Sequence, residues 1–320
     1  MRNKIIFGDC RDTLKQFDEK ARMCVTSPPY YGLRDYGGED SQIGQEQTPE
    51  EFIDELVKVF REVRNVLTDD GTCWVNLGDS YYNYRPGKGQ SLVKQTVSKT
   101  KQDLPDKCAR RGNKLKGYKE KDLIGIPWLF AFAMRADGWY LRQDIIWHKP
   151  NPMPESVRDR CTKSHEYLFL FSKNKRYYYD NEAIKEPAKD WGTRDRTNGK
   201  YHNPGTGLAP HSGLSKSYPT KNKRSVWSVT NKPYREAHFA TYPPDLIEPC
   251  IKAGSEIGDL ILDPFMGSGT TAAVAKALGR DYIGCELHED YGNLIQKRVE
   301  DYVAVNKVVQ EPSINILDII

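Results

Sequence analysis

Residues 260–271, with the sequence LILDPFMGSGTT, give the strongest indication of the fold of this chain. An apolar run ends at Asp263, a turn with two glycines follows, and a helical pattern begins at Thr271. Glycines in such a turn let the backbone approach a ligand closely, and the first N–H groups of a helix are free to bind it. Glu286 ends the next apolar run, where a carboxylate can accept hydrogen bonds from two ribose hydroxyls. This pattern predicts a nucleoside-binding loop.

Apolar runs and helical patterns alternate along the rest of the chain. Seven runs have the composition of buried strands: 4–7, 23–26, 72–77, 140–147, 166–171, 260–262 and 282–285. Thr48, Pro49 and Glu51 form a capping pattern that starts a helix, which we expect to run to residue 67 and to be stopped by residues 69–71. Further helices are predicted over residues 127–134 and 271–278. Buried strands joined by helices predict an α/β fold: a Rossmann-like, doubly wound, mostly parallel sheet of about seven strands. We expect residues 1–320 to form a single domain.

Composition excludes several classes of protein. The 320 residues include no apolar run of about 18 residues, so no segment is predicted to span a membrane, and the N-terminus does not resemble a signal peptide. The seven cysteines contain no C-x-x-C pair, which favours a reducing, cytoplasmic compartment. The six histidines have no metal-ligand spacing, so no metal site is predicted.

Positive charge is concentrated in two segments. The net charge of the whole chain is +4, but residues 81–121 have +9 and residues 185–235 have +8, which leaves −13 on the remainder. Both segments mix aromatic residues with the cations and lack a helical or strand period. Basic charge on an acidic body indicates a polyanionic partner, because phosphate contacts release counterions. The alternative is a pair of solvated loops with no partner.

A stiff turn follows the second apolar run, at Ser27-Pro28-Pro29-Tyr30. The two prolines fix φ and have no N–H, which leaves the carbonyl of Pro28 and the hydroxyl of Ser27 as acceptors beside the ring of Tyr30. Acceptors next to an aromatic face suit a planar ring with an exocyclic amine. Hydrogen bonds to that amine would draw its nitrogen toward tetrahedral geometry and localise the lone pair for attack on a methyl group. The alternative is an ordinary connecting loop.

A dehydrogenase is a second interpretation of the glycine turn. Residues 267–272 match the G-x-G-x-x-A dinucleotide fingerprint, and Glu286 lies near the expected spacing. Only 34 residues follow Glu286, which is too few for a second mononucleotide-binding half. A nicotinamide cofactor would also leave the basic segments without a purpose.

Taken together, residues 26–30 and 263–271 resemble the amino-methylating DNA methyltransferases, which transfer a methyl group from S-adenosylmethionine to an exocyclic base amine. The order of the motifs, with the catalytic turn early and the cofactor loop late, resembles the circularly permuted beta group. Residues 147–152, 164–167 and 238–243 are also similar to family loops. The resemblance implies that a duplex base is flipped out of the stack before it is methylated.

The resemblance assigns roles to individual residues. It implies that the base is held by Ser27, Pro28, Pro29 and Tyr30. It implies that the cofactor is bound by Asp9, Thr26, Thr241, Tyr242, Asp263, Pro264, Phe265, Gly267, Ser268, Gly269, Thr270 and Glu286. For Asp9 the alternative is a helix cap, and for Thr241 and Tyr242 it is a loop that enters a helix. Asp79 and His148 receive no role.

Family members whose motif begins with serine mostly resemble the cytosine-N4 enzymes, so cytosine is favoured over adenine N6. The basic insertions 81–121 and 185–235 are expected to form the target-recognition region on double-stranded DNA. The resemblance implies a cytoplasmic, nucleoid-associated enzyme of a prokaryote or its virus. A cognate restriction endonuclease is left open as a partner, as is the choice between monomer and homodimer. A catalytically dead DNA-binding protein is the remaining alternative.

Overall fold

The computed structural model describes residues 2–32, 42–82, 115–188, 219–231 and 242–310, with side chains to residue 306. The β-strands in these ranges are β1 (Lys4–Phe7), β2 (Ala21–Thr26), β3 (Leu67–Leu77), β4 (Tyr140–His148), β5 (His165–Ser172), β6 (Glu186–Pro187), β7 (Thr220–Lys221), β8 (Val226–Ser228), β9 (Leu260–Asp263) and β10 (Asp281–Glu286). The α-helices are α1 (Cys10–Thr13), α2 (Pro49–Val66), α3 (Ile126–Ala136), α4 (Pro244–Gly254), α5 (Thr270–Ala277) and α6 (Gly292–Gln310).

Eight of these strands form one sheet in the order β1-β10-β9-β2-β3-β5-β4-β8. Neighbouring strands are parallel except where β5 is involved, since β5 runs antiparallel to both β3 and β4. The predicted Rossmann-like, mostly parallel sheet is confirmed, with eight strands where about seven were expected. The additional strand is β8, whose three residues are too few to show a hydrophobic period.

Helices cover both faces of the sheet. Cys24 of β2 packs with buried residues of α2 and α3, whereas Met23 and Val25 pack with buried residues of α4 and α5. Successive side chains of a strand point to opposite faces, so these two cores lie on opposite sides of the sheet. The doubly wound arrangement is therefore confirmed.

The start of α2 follows the predicted capping pattern. The N–H of Glu51 donates to the hydroxyl of Thr48 at 3.1 Å, and the N–H of Thr48 donates to the carboxylate of Glu51 at 3.2 Å. The predicted end was wrong by one residue, because the helix ends at Val66 and β3 begins directly at Leu67. Residues 68–71 form an irregularity in the pairing of β3 with β2 instead of a loop that stops the helix.

Three helices, α1, α4 and α6, were not among those predicted, although a helix cap at Asp9 was kept as an alternative. Helix α4 has prolines at its N-cap and first position, and Pro249 lies inside it, a residue that ordinarily argues against a helix interior. Helix α6 has a weak amphipathic pattern but still buries Ile295 against Met266 and Ala272. Among the described residues, no helix combines the length and the apolar character needed to cross a membrane.

Candidate active site

The carboxyl ends of the central parallel strands meet at one edge of the sheet. Parallel pairing places Thr26 of β2 level with Val75 of β3, and Asp263 of β9 level with Gly284 of β10. The hydroxyl of Thr26 donates a hydrogen bond of 2.6 Å to the carboxylate of Asp263. The diproline turn after β2 and the glycine turn after β9 therefore lie side by side, although more than 200 residues separate them in sequence.

The glycine turn needs both of its glycines, for different reasons. Gly267 and Gly269 have φ angles of +54° and +82°, in the left-handed region. A Cβ atom on Gly269 would lie 2.8 Å from Cγ2 of Ile295, so α6 packs directly against this glycine. A Cβ atom on Gly267 would have as its nearest described neighbour the carbonyl oxygen of Phe265, at 3.9 Å. The backbone at Gly267 is accordingly open to close approach by a ligand.

Asp263 holds the two turns together. Its buried carboxylate accepts hydrogen bonds from the hydroxyls of Thr26, Tyr242 and Thr271 and from the N–H of Phe265 at 3.0 Å. Burial raises the pKa of Asp263, and these four donors oppose that rise. A carboxylate with four protein donors is fully satisfied, so it fixes the shape of the glycine turn.

Glu286 lies beside the same turn at the end of β10. One of its oxygens accepts from the N–H of Gly267 at 2.8 Å, and the other from the N–H of His288 at 3.1 Å. The residue is 8% exposed, and burial raises the pKa of its carboxyl. Because a carboxylate offers about four acceptor positions, two remain for ligand hydroxyls.

Asp9 follows β1, which pairs with β10 next to Glu286. Its side chain caps α1 by accepting from the N–H of Arg11 at 2.8 Å, and it forms an ion pair with the guanidinium of Arg11. Arg11 also pairs with Glu55 of α2. Burial acts to raise the pKa of Asp9, but the contacts with Arg11 outweigh burial and hold that pKa below its ordinary value. The helix-cap alternative from the sequence is therefore present in the structure.

The other predicted loop residues are mostly buried. The hydroxyl of Ser268 accepts a hydrogen bond from the guanidinium of Arg298, so Ser268 connects the glycine turn to α6. Pro264 and Thr270 are also buried, and Phe265 is partly buried. Thr241 lies outside the described residues. The hydrogen bond from Thr271 to Asp263 and the contact between the hydroxyls of Thr271 and Tyr242 were not anticipated. The pair of threonines at the start of an alanine-rich helix was the available signal.

The diproline turn presents Ser27 and Tyr30 at the same edge of the sheet. Pro28 is buried and Pro29 is partly buried. The ring of Tyr30 packs on the backbone of Gly78, where a Cβ atom would lie 2.6 Å from the ring. Burial raises the pKa of Tyr30 well above its ordinary value, and the nearby negative charge of Glu166 adds to the rise.

Two polar residues contact this turn, and neither had been assigned a role from the sequence. Asn76 at the end of β3 accepts from the hydroxyl of Ser27 at 3.3 Å, and Glu166 at the start of β5 accepts from the hydroxyl of Tyr30 at 2.6 Å. Lys149 forms an ion pair with Glu166. The signal for Asn76 was an amide side chain near the end of the run 72–77, in which Thr72 is the other polar residue.

Asp79 and His148, left without a role, make structural contacts. The carboxylate of Asp79 accepts from the N–H groups of Gly125 at 3.0 Å and Ile126 at 3.1 Å, and so caps α3. The ring of His148 is hydrogen-bonded to the hydroxyl of Ser228 at 3.0 Å, between β4 and β8.

Most of the two basic insertions lies outside the described residues, which omit 83–114, 189–218 and 232–241. At the described start of the first insertion, the guanidinium of Arg160 stacks 3.9 Å from the ring centre of Tyr81. Lys163 donates to the carbonyl of Asp79 at 2.8 Å, and burial lowers the pKa of its ammonium. The loop between β4 and β5 therefore places positive side chains beside the start of the first insertion.

Comparisons with solved structures agree with this fold. The PvuII DNA methyltransferase, described as cytosine-N4-specific, is similar with a TM-score of 0.60 and 18% identity, and the match covers 96% of this chain and 92% of that one. The protein TTHA0409 of Thermus thermophilus, solved in complex with S-adenosyl-L-methionine, has a TM-score of 0.57 and 22% identity, with 94% of each chain covered.

Comparisons with known sequences establish the family of this chain. The Type II methyltransferase M.SmaI of Serratia marcescens is 45% identical over 302 residues, which cover 92% of this chain and 90% of that protein. M.XycI of Xanthomonas campestris pv. cyanopsidis is 44% identical, with 94% and 89% covered. The family model for N6/N4 methyltransferases, described as DNA methylase, matches residues 21–297. This match excludes the dehydrogenase alternative, and the chain belongs to the N6/N4 DNA methylase family.

Proposed function

We propose that the chain is an S-adenosylmethionine-dependent DNA methyltransferase that acts on the N4 amine of cytosine within a specific duplex sequence. The hydrogen bond between Thr26 and Asp263 is the observation that supports this most directly. It joins the turn with the amine acceptors to the loop with the features of a nucleoside site. The Type II methyltransferase relatives, which cover about nine tenths of the chain, support the same activity.

The loop residues fit the cofactor, which supplies an electrophilic methyl group on a positively charged sulfur. The open backbone at Gly267 allows close approach, and Glu286 retains acceptor positions for the two ribose hydroxyls. As the resemblance implies, Phe265 would pack against the cofactor and Asp9 would lie on the side of its adenine ring. The other positions that the resemblance assigns to the cofactor site are Thr26, Thr241, Tyr242, Asp263, Pro264, Ser268, Gly269 and Thr270. The hydroxyls of Thr26, Tyr242 and Ser268 act there by holding the loop in shape.

The diproline turn binds and polarises the amine. One amine N–H donates to the hydroxyl oxygen of Ser27 and the other to the carbonyl of Pro28, while Pro29 stiffens the turn and Tyr30 stacks on the base. These contacts draw the amine nitrogen toward tetrahedral geometry and direct its lone pair at the methyl carbon. The N–C bond would form as the C–S bond of the sulfonium breaks, and one amine proton would then leave to solvent. Catalysis then comes mainly from positioning. The base must first leave the duplex stack, at a cost of a few kcal/mol.

Cytosine is favoured because the turn begins with Ser27, as in family members that resemble cytosine-N4 enzymes. Adenine N6 is the second candidate, since adenine presents the same type of amine to the same acceptors. The phosphate contacts that offset base flipping come from the basic insertions 81–121 and 185–235, which form the target-recognition region. A restriction endonuclease of the same specificity is the expected partner, in keeping with the Type II names of the relatives.

Transfer of a tritiated methyl group tests the proposal. Purified protein incubated with labelled S-adenosylmethionine and unmethylated duplex DNA should move the label to DNA. Calorimetry with S-adenosylmethionine separates the catalytically dead alternative, which predicts neither heat of binding nor label on DNA.

A further inference from the structure

A hydrogen-bonded cluster formed by Asn76 and Glu166 contacts the diproline turn. Asn76, which is 2% exposed, donates through its Nδ2 to the carboxylate of Glu166 at 3.2 Å and to the carbonyl of Tyr167 at 3.1 Å. Its Oδ1 accepts from the hydroxyl of Ser27 at 3.3 Å. The cluster therefore connects β3 and β5 to the turn that follows β2.

The chemistry of these groups fixes the direction of each hydrogen bond. A carboxylate and a backbone carbonyl can only accept, so the amide of Asn76 must point its NH₂ group toward Glu166 and Tyr167. Its oxygen then faces Ser27, and an amide oxygen can also only accept. The single hydrogen of the Ser27 hydroxyl is thereby directed into the cluster, where the amide oxygen of Asn76 and the hydroxyl oxygen of Tyr30 are its acceptors. The lone pairs of the Ser27 hydroxyl remain available to accept from a substrate amine.

The hydroxyl of Tyr30 is fixed by the same carboxylate. Its oxygen lies 2.6 Å from Glu166 and 3.2 Å from Asn76, so its one hydrogen goes to the closer and charged acceptor. Lys149 lies against the other oxygen of Glu166 and offsets its charge, in a pair whose side chains are only 17% and 14% exposed. The ring of Tyr30 is thus held from its hydroxyl end as well as by its contact with Gly78.

We propose that Asn76 and Glu166 are positioning residues that make Ser27 an obligatory hydrogen-bond acceptor and hold Tyr30 in its stacking position. The inference rests on the proposed amine methylation and specifies how the acceptor is oriented. Asn76 acts through Ser27, and Glu166 acts on Tyr30 directly and on Ser27 through the amide of Asn76.

The first variant to test is Asn76→Leu, which removes both amide atoms at similar volume. The methyl-transfer rate in a single turnover should fall about 10- to 100-fold, while the dissociation constants of S-adenosylmethionine and DNA change less than about twofold. Thr72→Val is the matched control, because Thr72 is also buried on β3 and hydrogen-bonded, to Trp74. It should lose stability but keep the wild-type rate.

The second variant, Asn76→Asp, keeps the acceptor oxygen and the shape but loses the NH₂ group. Two adjacent carboxylates, at positions 76 and 166, cannot both ionise without repulsion, and a proton taken up between them restores a donor toward Glu166. The rate of this variant, divided by the wild-type rate at each pH, should therefore rise as the pH falls from about 8 to about 5.5. Lys149, Lys163 and Tyr30 also face Glu166, but they are present in both proteins and cancel in the ratio.

Two results would overturn this inference and leave the proposed function standing. One is a rate for Asn76→Leu within about threefold of the wild type, and the other is a ratio for Asn76→Asp that does not rise at lower pH. The isosteric Asn76→Asp variant decides the question if Asn76→Leu does not fold. A wild-type protein that transfers no methyl group would overturn the proposed function together with this inference.

Discussion

Polar side chains at the carboxyl edge of the sheet differ in how much of their hydrogen-bonding capacity the protein itself uses. Asp263 is saturated by protein donors, and Ser268 is engaged by Arg298, so both stabilise the loop from inside. Glu286 and Ser27 retain acceptor capacity toward the edge, as a site for hydroxyls and an amine requires. This difference separates the residues expected to support the site from those expected to touch a ligand.

Ser27→Ala and Tyr30→Ala should each abolish methyl transfer while S-adenosylmethionine still binds. The first variant removes an acceptor for the amine, and the second removes the stacking surface. Label transfer to DNA and calorimetry on the same preparations measure the two properties. Full activity of both variants would show that the base is bound elsewhere.

Affinity for S-adenosylmethionine should depend on pH through Glu286. Burial raises the pKa of Glu286, so its carboxylate takes up a proton at a higher pH than an ordinary glutamate and loses acceptor capacity there. Binding should be constant near neutral pH and weaken as the pH falls through that raised pKa. Glu286→Gln should weaken binding about tenfold and remove this pH step.

Calorimetry across a pH series measures this effect. Glu289→Gln is the control, because Glu289 is exposed nearby and is expected to contribute nothing. An unchanged pH dependence in Glu286→Gln would contradict the assignment of Glu286 to the ribose.

The sequence was sufficient to identify site residues that lie within a motif. It was not sufficient to identify residues that contact the motif from other strands. Ser27, Asp263 and Glu286 follow apolar runs, so the rule that ligands bind beyond strand ends was enough to find them. Asn76 and Glu166 belong to other strands, and their contacts with the turn depend on the antiparallel insertion of β5 beside β3. No spacing in the sequence shows that pairing.

The glycine turn, α5 and α6 form one packed unit. Gly269 has a positive φ and lies against Ile295 of α6, so a side chain there meets both backbone strain and a steric clash. Gly258 has a similar φ, +86° against +82°, but a Cβ atom on it would meet nothing within 4 Å. A side chain at Gly258 would therefore meet backbone strain only, whereas one at Gly269 would meet strain and a steric clash.

Gly269→Ala should lower the free energy of unfolding by about 1–3 kcal/mol more than Gly258→Ala, since only the first overpacks its surroundings. Urea or thermal unfolding of the two variants measures the difference. Equal losses would indicate that α6 yields to the added methyl group, which would be inconsistent with tight packing of this unit.

Elements with a long, regular pattern were predicted well, and irregular ones were not. The capping pattern at residues 48–51 and the apolar run of β9 are local signals. Helix α4 forms despite Pro249 because it buries Leu246, Ile247 and Cys250 against the sheet, a gain visible only in the tertiary structure. Short strand β8 exists only because it pairs with β4.

Over the whole sequence, positive charge is concentrated in the segments 81–121 and 185–235, although β8 of the second segment belongs to the sheet. Residues 81–121 have a net charge of +9 on a chain whose total is +4. DNA binding should therefore weaken steeply with salt, by counterion release. The described Arg160 and Lys163, which contact Tyr81 and Asp79, add two cationic side chains beside the start of the first segment.

Replacing Lys94, Lys99 and Lys101 by glutamine should reduce the slope of log affinity against log salt by about 0.9 for each lysine that binds a DNA phosphate. The same replacement of Lys15, Lys58 and Lys252, which form ion pairs outside both basic segments, is the control and should leave the slope unchanged. DNA retention across a salt series measures both. An unchanged slope in the first variant would exclude residues 94–101 from the DNA surface.

The nucleosides of DNA from cells that express this chain provide the most direct measurement of its activity. Mass spectrometry after complete digestion should detect N4-methylcytosine with the wild-type chain and none with Ser27→Ala. N6-methyladenine in its place would contradict the choice of base, and the absence of any methylated nucleoside would contradict the enzymatic account as a whole.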